Sequence, residues 1–240
     1  MKNKRSFLSI KLLNKVILAP MEGVTNIPFR VLCKKYGSTL NYTPQLSALA
    51  ITRGSERILK QSESVKEEKP VGVQLFGRNP ETLLEAAKKF EKNFDVIDLN
   101  FGCPSKNIVR QGYGAALLKE KEKIFEIVST LSKGLKKPLT VKMRSGFKKV
   151  EAVELVKVIE KAGASAITIH ARTQKQGYSG KADWEIIRKV KETVSIPIIG
   201  NGDVVDEESA EKMLKETKCD YIMLGRGAMK NPFLFKRINY

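Results

Sequence analysis

Eight short apolar runs rich in β-branched residues punctuate the chain, and longer stretches of helical periodicity separate them. The runs predict strands at Val16 to Ala19, Thr39 to Thr43, Val71 to Phe76, Val96 to Asn100, Leu139 to Met143, Ala166 to His170, Ile196 to Gly200 and Tyr221 to Leu224. Between them, Pro80 to Lys92, Lys121 to Lys133, Val150 to Ala162, Asp183 to Glu192 and Glu207 to Lys215 read as amphipathic helices. Several open on Pro or Asp, as helix N-termini favour. Gly163 lies just past one of them, where a left-handed residue closes a helix. Strand followed by helix, eight times in 240 residues, predicts an α/β fold of the TIM (β/α)8 barrel type rather than an open doubly wound sheet. No linker or internal repeat divides the sequence, so residues 1–240 are expected to form a single barrel domain. Little chain is left for a helix after the eighth strand.

Charge narrows the partner. The chain has 44 Lys+Arg against 26 Asp+Glu, a net charge of +18. Its hydrophobic fraction of 42% is that of a globular protein, so the charge belongs to a folded surface rather than a disordered tail. Such a surface attracts polyanions through counterion release, which makes nucleic acid the first partner to consider; a Lys-rich surface also suits thermal stability. Cys33, Cys103 and Cys219 are too widely and irregularly spaced for a disulfide framework or a metal site, and a lone histidine rules out a His-rich one. A reducing, cytoplasmic setting is expected. Lys11 and Lys15 break the N-terminal apolar stretch before it reaches signal length, and no run of 18 uncharged apolar residues offers a membrane span.

In such a barrel the active site lies at the C-terminal ends of the strands. Seven of the eight ends carry polar or glycine-rich runs: APMEGVTN, VQLFGRN, DLNFGCPSKNIVRQGYG, VKMRSG, IHARTQKQGYSG, IIGNGD and MLGRG, with strand two the exception. GNGD (Gly200 to Asp203) and GRG (Gly225 to Gly227) follow strands seven and eight, where barrels often hold a phosphate on backbone N–H groups; the alternative is two ordinary tight turns. Lys142 and Arg144 alternate on one face of strand five, a costly pair in a barrel mouth unless an anion or electron-rich ring joins them. His170 ends strand six and faces the same rim. Cys103, between Gly102 and Pro104, belongs to a loop over the mouth, whereas Cys33 and Cys219 read as packing residues. A thiol without special neighbours keeps its proton at neutral pH, so a general acid is the more economical role for Cys103 than a nucleophile. The run GYGAAL at Gly112 to Leu117 is a poor dinucleotide fingerprint, with Leu117 where a small residue should stand.

Taken together, LAPMEGVTNIPFR at Leu18 to Arg30, VQLFG at Val73 to Gly77 and NFGCPSKNIVRQGYGAALL at Asn100 to Leu118 carry a recognisable pattern. So do VKMRSG at Val141 to Gly146, IHARTQKQGYSG at Ile169 to Gly180, IIGNGD at Ile198 to Asp203 and LGRGAMKNPFLF at Leu224 to Phe235. The chain resembles the tRNA-dihydrouridine synthases, flavin enzymes on a TIM barrel. The resemblance implies reduction of the C5=C6 bond of tRNA uridines, with FMN as cofactor and NADPH (or NADH) as reductant. Pro20, Met21 and Glu22 would lie against the flavin ring, Gln74 would hydrogen-bond it, and Lys142 and His170 would contact it. Asn201, Gly202, Asp203, Gly225 and Arg226 would hold its ribityl chain and phosphate. Asn100, Arg144 and Tyr178 would contact the target uracil, and Cys103 would donate the proton to C5. The uridine would have to be flipped out of its stack, a cost that phosphate contacts on the basic surface offset. Larger members carry a C-terminal helical domain that seats the tRNA; this sequence is expected to lack it and to act as a monomer, with no membrane or metal partner. The alternatives are a flavin barrel that acts on a free pyrimidine, as dihydroorotate and dihydropyrimidine dehydrogenases do, and a non-catalytic basic RNA-binding barrel.

Overall fold

A computed structural model describes residues 6–238; the charged start of the N-terminal run, residues 1–5, and Tyr240 lie outside the described residues. Eight parallel strands are ordered β1-β8-β7-β6-β5-β4-β3-β2: β1 Val16–Leu18, β2 Asn41–Ser47, β3 Val71–Phe76, β4 Val96–Phe101, β5 Leu139–Arg144, β6 Ala166–His170, β7 Ile198–Asn201 and β8 Tyr221–Leu224. The ring closes between β1 and β2, where the Leu18 N–H donates to the Leu40 carbonyl at 2.9 Å and the Thr39 N–H to the Val16 carbonyl at 2.8 Å. The predicted (β/α)8 barrel is therefore the observed architecture.

Helices follow the strands as α1 Ile27–Lys35, α2 Ala48–Thr52, α3 Glu56–Gln61, α4 Pro80–Lys88, α5 Lys106–Arg110, α6 Lys121–Gly134, α7 Ala152–Lys161, α8 Trp184–Thr193, α9 Glu207–Thr217, α10 Arg226–Lys230 and α11 Leu234–Arg237. Local chemistry sets where the longer ones begin. Asn26, Asn79, Asp183 and Asp206 accept first-turn N–H groups as N-caps, and Pro28 and Pro80 occupy first-turn positions where no N–H is needed. Gly163 closes α7 with φ +101°, in the role its position predicts. Among the described residues past β8 there are only the two short helices α10 and α11.

The largest departure from expectation is β2, which runs from Asn41 to Ser47 rather than Thr39 to Thr43. Pro44 hides its second half, because proline usually marks the end of a strand; here the register against β3 shifts between Tyr42 and Gln45, and the strand resumes beyond the proline. A smaller one is α4, which stops at Lys88, four residues early.

Two hydrophobic layers result. The larger lies between the strands and the helical ring. The smaller fills the barrel floor with Phe7, Ile17, Leu40, Tyr42, Val96, Ala166 and Ile199, Phe7 meeting Tyr221 edge-on at 5.6 Å. Tyr42 lies across Gly72, where a Cβ would come within 2.4 Å of its ring. The floor is thus apolar and closed, which leaves the opposite end of the barrel for chemistry.

Candidate active site

Strand register carries the polar residues to one level. Gln74 pairs with Asp98, Asn100 with Lys142, Arg144 with His170, His170 with Asn201 and Asn201 with Met223, so these side chains all face the barrel axis near the strand C-termini. Above them lie two adjoining cavities of about 340 and 390 Å³ that share Pro20, Met21, Lys142, His170, Tyr178 and Arg226 as walls. Asn201, Gly202, Asp203 and Gly225 line the first; Glu22, Gln74, Asn100, Cys103 and Arg144 line the second. Every residue expected to bind cofactor or substrate or to donate the proton therefore lines one or other of these two adjoining cavities.

The first cavity is cationic. Lys142 donates from Nζ to Asn201 Oδ1 at 3.2 Å, and Asn201 in turn donates to the Met223 carbonyl at 2.7 Å, which holds the ammonium against β7. Burial, and then the neighbouring Arg144, push the lysine down to about 8; Asp98 and Cys103 pull the other way. Burial, and then Lys142, Arg144, Arg172 and Arg226, drive His170 down to about 2, so its imidazole is neutral at physiological pH. Arg172 Nη1 lies 3.4 Å from His170 Nε2. A guanidinium only donates, so Nε2 accepts and the proton resides on Nδ1. Gly202, at φ +121°, packs so tightly that a Cβ would stand 2.8 Å from Ala182 Cβ and 3.1 Å from the imidazole; Trp184 Nε1 donates to its carbonyl at 2.9 Å.

Asp203 was expected among the five residues that hold the ribityl chain and phosphate; its carboxylate accepts from Arg172 Nη2 and the Ala182 N–H, both at 2.7 Å, and from Arg226 Nη2 at 3.2 Å. Hydrogen bonds from Arg172 and Ala182 outweigh desolvation and hold this carboxyl below its usual range. A carboxylate beside a phosphate would repel it, so the side chain serves as the holder of two arginines. Arg226 then lies over Tyr178 with 4.8 Å between guanidinium carbon and ring centre, and Arg144 over the same ring at 5.4 Å.

What sets the second cavity apart is a wall of neutral amides. Asn100 donates to Gln45 and Gln74, each at 2.8 Å, and accepts from the Gly102 and Cys103 N–H groups, each at 2.9 Å. All four hydrogen-bonding capacities of the amide are in use, so Asn100, expected as a uracil contact, shapes the thiol loop and has none left for a pyrimidine. Arg144 is also partly committed: Nε donates to the Gly102 carbonyl at 2.9 Å, and Nη1 to the carbonyls of Thr173 and Gly177 at 2.9 and 2.6 Å. It ties the Cys103 loop to the loop after β6. The GYGAAL run is explained here as well. Gly114, at φ +58°, passes so close to Cys103 that a Cβ would lie 3.0 Å from its Cβ and carbonyl oxygen, and the Ala115 N–H donates to that carbonyl at 3.1 Å. Glu22 stands at the exposed edge, its carboxyl raised by burial and partly restored by Arg57.

Three participants escaped the sequence reading. Gln45, at the end of the one strand that showed no motif, donates from Nε2 to Cys103 Sγ at 3.4 Å. Asp98, buried below Asn100, accepts from Gln74 and Thr140. Arg172 is buried against Asp203. Asp98 had a visible signal, a lone charge in VIDLNF on the inward face that Asn100 shares.

A family model described as dihydrouridine synthase matches residues 17–240. A "Probable tRNA-dihydrouridine synthase" of Aquifex aeolicus is 40% identical over 227 residues, covering 92% of this chain and 72% of the relative. One of Rickettsia conorii is 40% identical over 97% of this chain and 71% of the relative, and "tRNA-dihydrouridine synthase B" of Pasteurella multocida is 36% identical over 95% and 70%. Among solved structures, histamine dehydrogenase from Rhizobium superposes with a TM-score of 0.70 at 15% identity, covering 95% of this chain and 46% of that one. The BexX/CysO complex of Amycolatopsis orientalis does so at 0.63 and 12%, covering 99% and 91%. At that identity the likeness concerns the fold alone.

Proposed function

The chain belongs to the dihydrouridine synthase family, oxidoreductases that act on tRNA, and from that premise we propose how its residues divide the work. The cationic cavity holds FMN, the amide cavity holds a uracil flipped out of tRNA, and Cys103 delivers the proton to C5. The observation that supports this reading most is that a thiol and a glycine-lined cationic cradle open into one continuous space.

The residues fit a phosphorylated ring cofactor. A Cβ on Gly225 would project into the cavity, meeting only Ala19 Cβ at 3.8 Å and Met21 Sδ at 3.9 Å, so glycine keeps open a space that backbone N–H groups border. Gly202, Gly225 and Arg226 suit the phosphate, with Asp203 setting the arginine. Asn201 and His170 suit the polar chain; Pro20 and Met21 form a wall common to both cavities, and Glu22 and Gln74, which line only the second, suit the edge of a ring that reaches across that wall. A reduced flavin bound there would supply a hydride, two electrons with one hydrogen, which with the proton from Cys103 completes reduction of the pyrimidine C5=C6 bond, NADPH being the source.

The chain's own groups do the rest. Lys142 keeps positive charge at the cavity floor, where negative charge is stabilised most because little water screens it. His170, kept neutral, donates from Nδ1 without adding a cation to a site that already holds several. Arg144 and Tyr178 border the pyrimidine space, and Cys103 releases its proton there. The +18 surface draws tRNA and offsets the few kcal/mol of unstacking the target base.

A tRNA transcript without modification, incubated with the purified yellow protein and NADPH, is expected to gain two hydrogens at particular uridines, read by mass spectrometry. Reduction of free uracil with none in tRNA would replace this reading with a free-pyrimidine enzyme. A colourless protein that binds RNA and turns nothing over would replace it with a non-catalytic barrel.

A further inference from the structure

We infer that Gln45 is a positioning residue for the Cys103 thiol, locked in its donating orientation by a chain of amides that starts at the buried carboxylate of Asp98. The inference rests on the reading of Cys103 as proton donor. Its two ends, Gln45 and Asp98, lie outside the expected flavin and uracil contacts, and Gln74 and Asn100, which were expected there, link them.

The orientation of each amide follows from its neighbours. Asp98 sits beneath the site and accepts from Thr140 Oγ1 at 2.5 Å and from Gln74 Nε2 at 2.6 Å. A carboxylate offers only acceptors, so the NH2 of Gln74 faces down and its Oε1 faces up. That oxygen accepts from Asn100 Nδ2. Asn100 cannot turn over, because its Oδ1 takes two backbone N–H groups and a reversed amide would set donors against both. The other Nδ2 hydrogen of Asn100 goes to Gln45 Oε1, which leaves Gln45 Nε2 facing Cys103 Sγ. Three amides on three neighbouring strands thus have one self-consistent arrangement, and reversing any of them creates a donor–donor or acceptor–acceptor contact. Burial raises the carboxyl of Asp98 to about 6, which leaves it mostly ionised at neutral pH and so an acceptor for Gln74.

Two consequences reach the sulfur. Because Sγ accepts from Gln45, its own hydrogen points away from that side, toward the cavity that both residues line. Once the proton has left, the negative sulfur meets a donor already in place, and a hydrogen bond to a charged acceptor is stronger than one to a neutral thiol. Gln45 therefore favours the departure of the proton by acting on the sulfur.

Alkylation of the purified holoenzyme by iodoacetamide, quantified at each cysteine by mass spectrometry, tests this without measuring turnover. Cys33 and Cys219 are buried, so Cys103 is the reporting thiol. Near neutral pH, Gln45→Leu is expected to slow alkylation of Cys103 about tenfold. Gln45→Glu, which sets an acceptor against the sulfur, should slow it further. Asp98→Asn, whose amide can meet Gln74 with either end, should fall between Gln45→Leu and the parent. In strongly alkaline buffer, where every thiol is ionised, all the rates should converge. A Gln45→Leu protein that reacts at the parent rate near neutrality, or that is slowed equally at every pH, would overturn the inference, as would an Asp98→Asn protein indistinguishable from the parent. Normal uridine turnover by Cys103→Ser would instead sink the reading of Cys103 as the acid and leave these alkylation rates as predicted.

Discussion

On the side of β5 to β8 the barrel mouth is walled by glycine backbone and fixed cations, with Lys142 and Arg226 around a neutral His170 and Arg172 buried beside it; on the side of β2 to β4 it is walled by Gln45, Gln74, Asn100 and a thiol. The cationic wall attracts an anion whichever way its side chains rotate, because a charge has no front or back. An amide has two unlike ends, so the opposite wall works only if each is held one way round, and a single buried carboxylate supplies that polarity. The proposed function gives the holding of a cofactor mainly to the first wall and the directing of a proton to the second.

If the division is real, damage to one wall should spare the other. The largest effect is expected from Cys103→Ala: uridine turnover should fall about a thousandfold, in the range of a lost general acid, while the protein stays yellow. Flavin lost together with activity would break the comparison. Gly202→Ala should do the reverse. With a Cβ forced to 2.8 Å from Ala182 Cβ and a backbone φ of +121°, flavin retention on a desalting column should drop about tenfold, with Cys103 still alkylated at the parent rate.

A smaller effect separates the two buried titratable groups. His170, held down at about 2 from an ordinary 6.5, makes the unfolded chain the better proton binder below that value, so its contribution to stability falls as pH drops. Asp98, raised from 3.8 to about 6, makes the native state the better proton binder in that window, so its contribution rises as pH falls from 6 toward 4. Replacing His170 by Asn removes only the first trend. Urea melts of the variant should then lose roughly 1.4 kcal/mol less stability per pH unit than the parent below pH ~6.5. Parallel curves would show that the imidazole is not held neutral. The smallest change is expected from Tyr178→Leu, which removes an exposed ring bordered by Arg144 and Arg226. It should raise the KM for tRNA severalfold and leave flavin binding unaltered.

Much of this was legible in the one-dimensional pattern. Lys142, Arg144, His170 and Asn201 could be placed on the inward rim because alternation along a strand is a local property, and GNGD and GRG could be placed because turn chemistry is local too. Gln45 was hidden by Pro44, which truncated the strand that carries it. The parts assigned to Asn100 and Asp203 differed from the structure for one reason: a residue type shows what a side chain can bond, not which bonds are already taken.

The linear order of residues was enough to settle the barrel class, the rim on which the polar groups gather and the family to which the chain belongs. It could not settle which polar atoms meet. Gln45 and Cys103 are 58 residues apart, Arg172 and Asp203 31, and Gln74 and Asp98 24, and each contact requires its atoms to be placed to within a few tenths of an ångström. That accuracy comes from the register of adjacent strands added around a closed ring, and hydrogen bonds weaken so steeply with distance and angle that no local pattern can stand in for it.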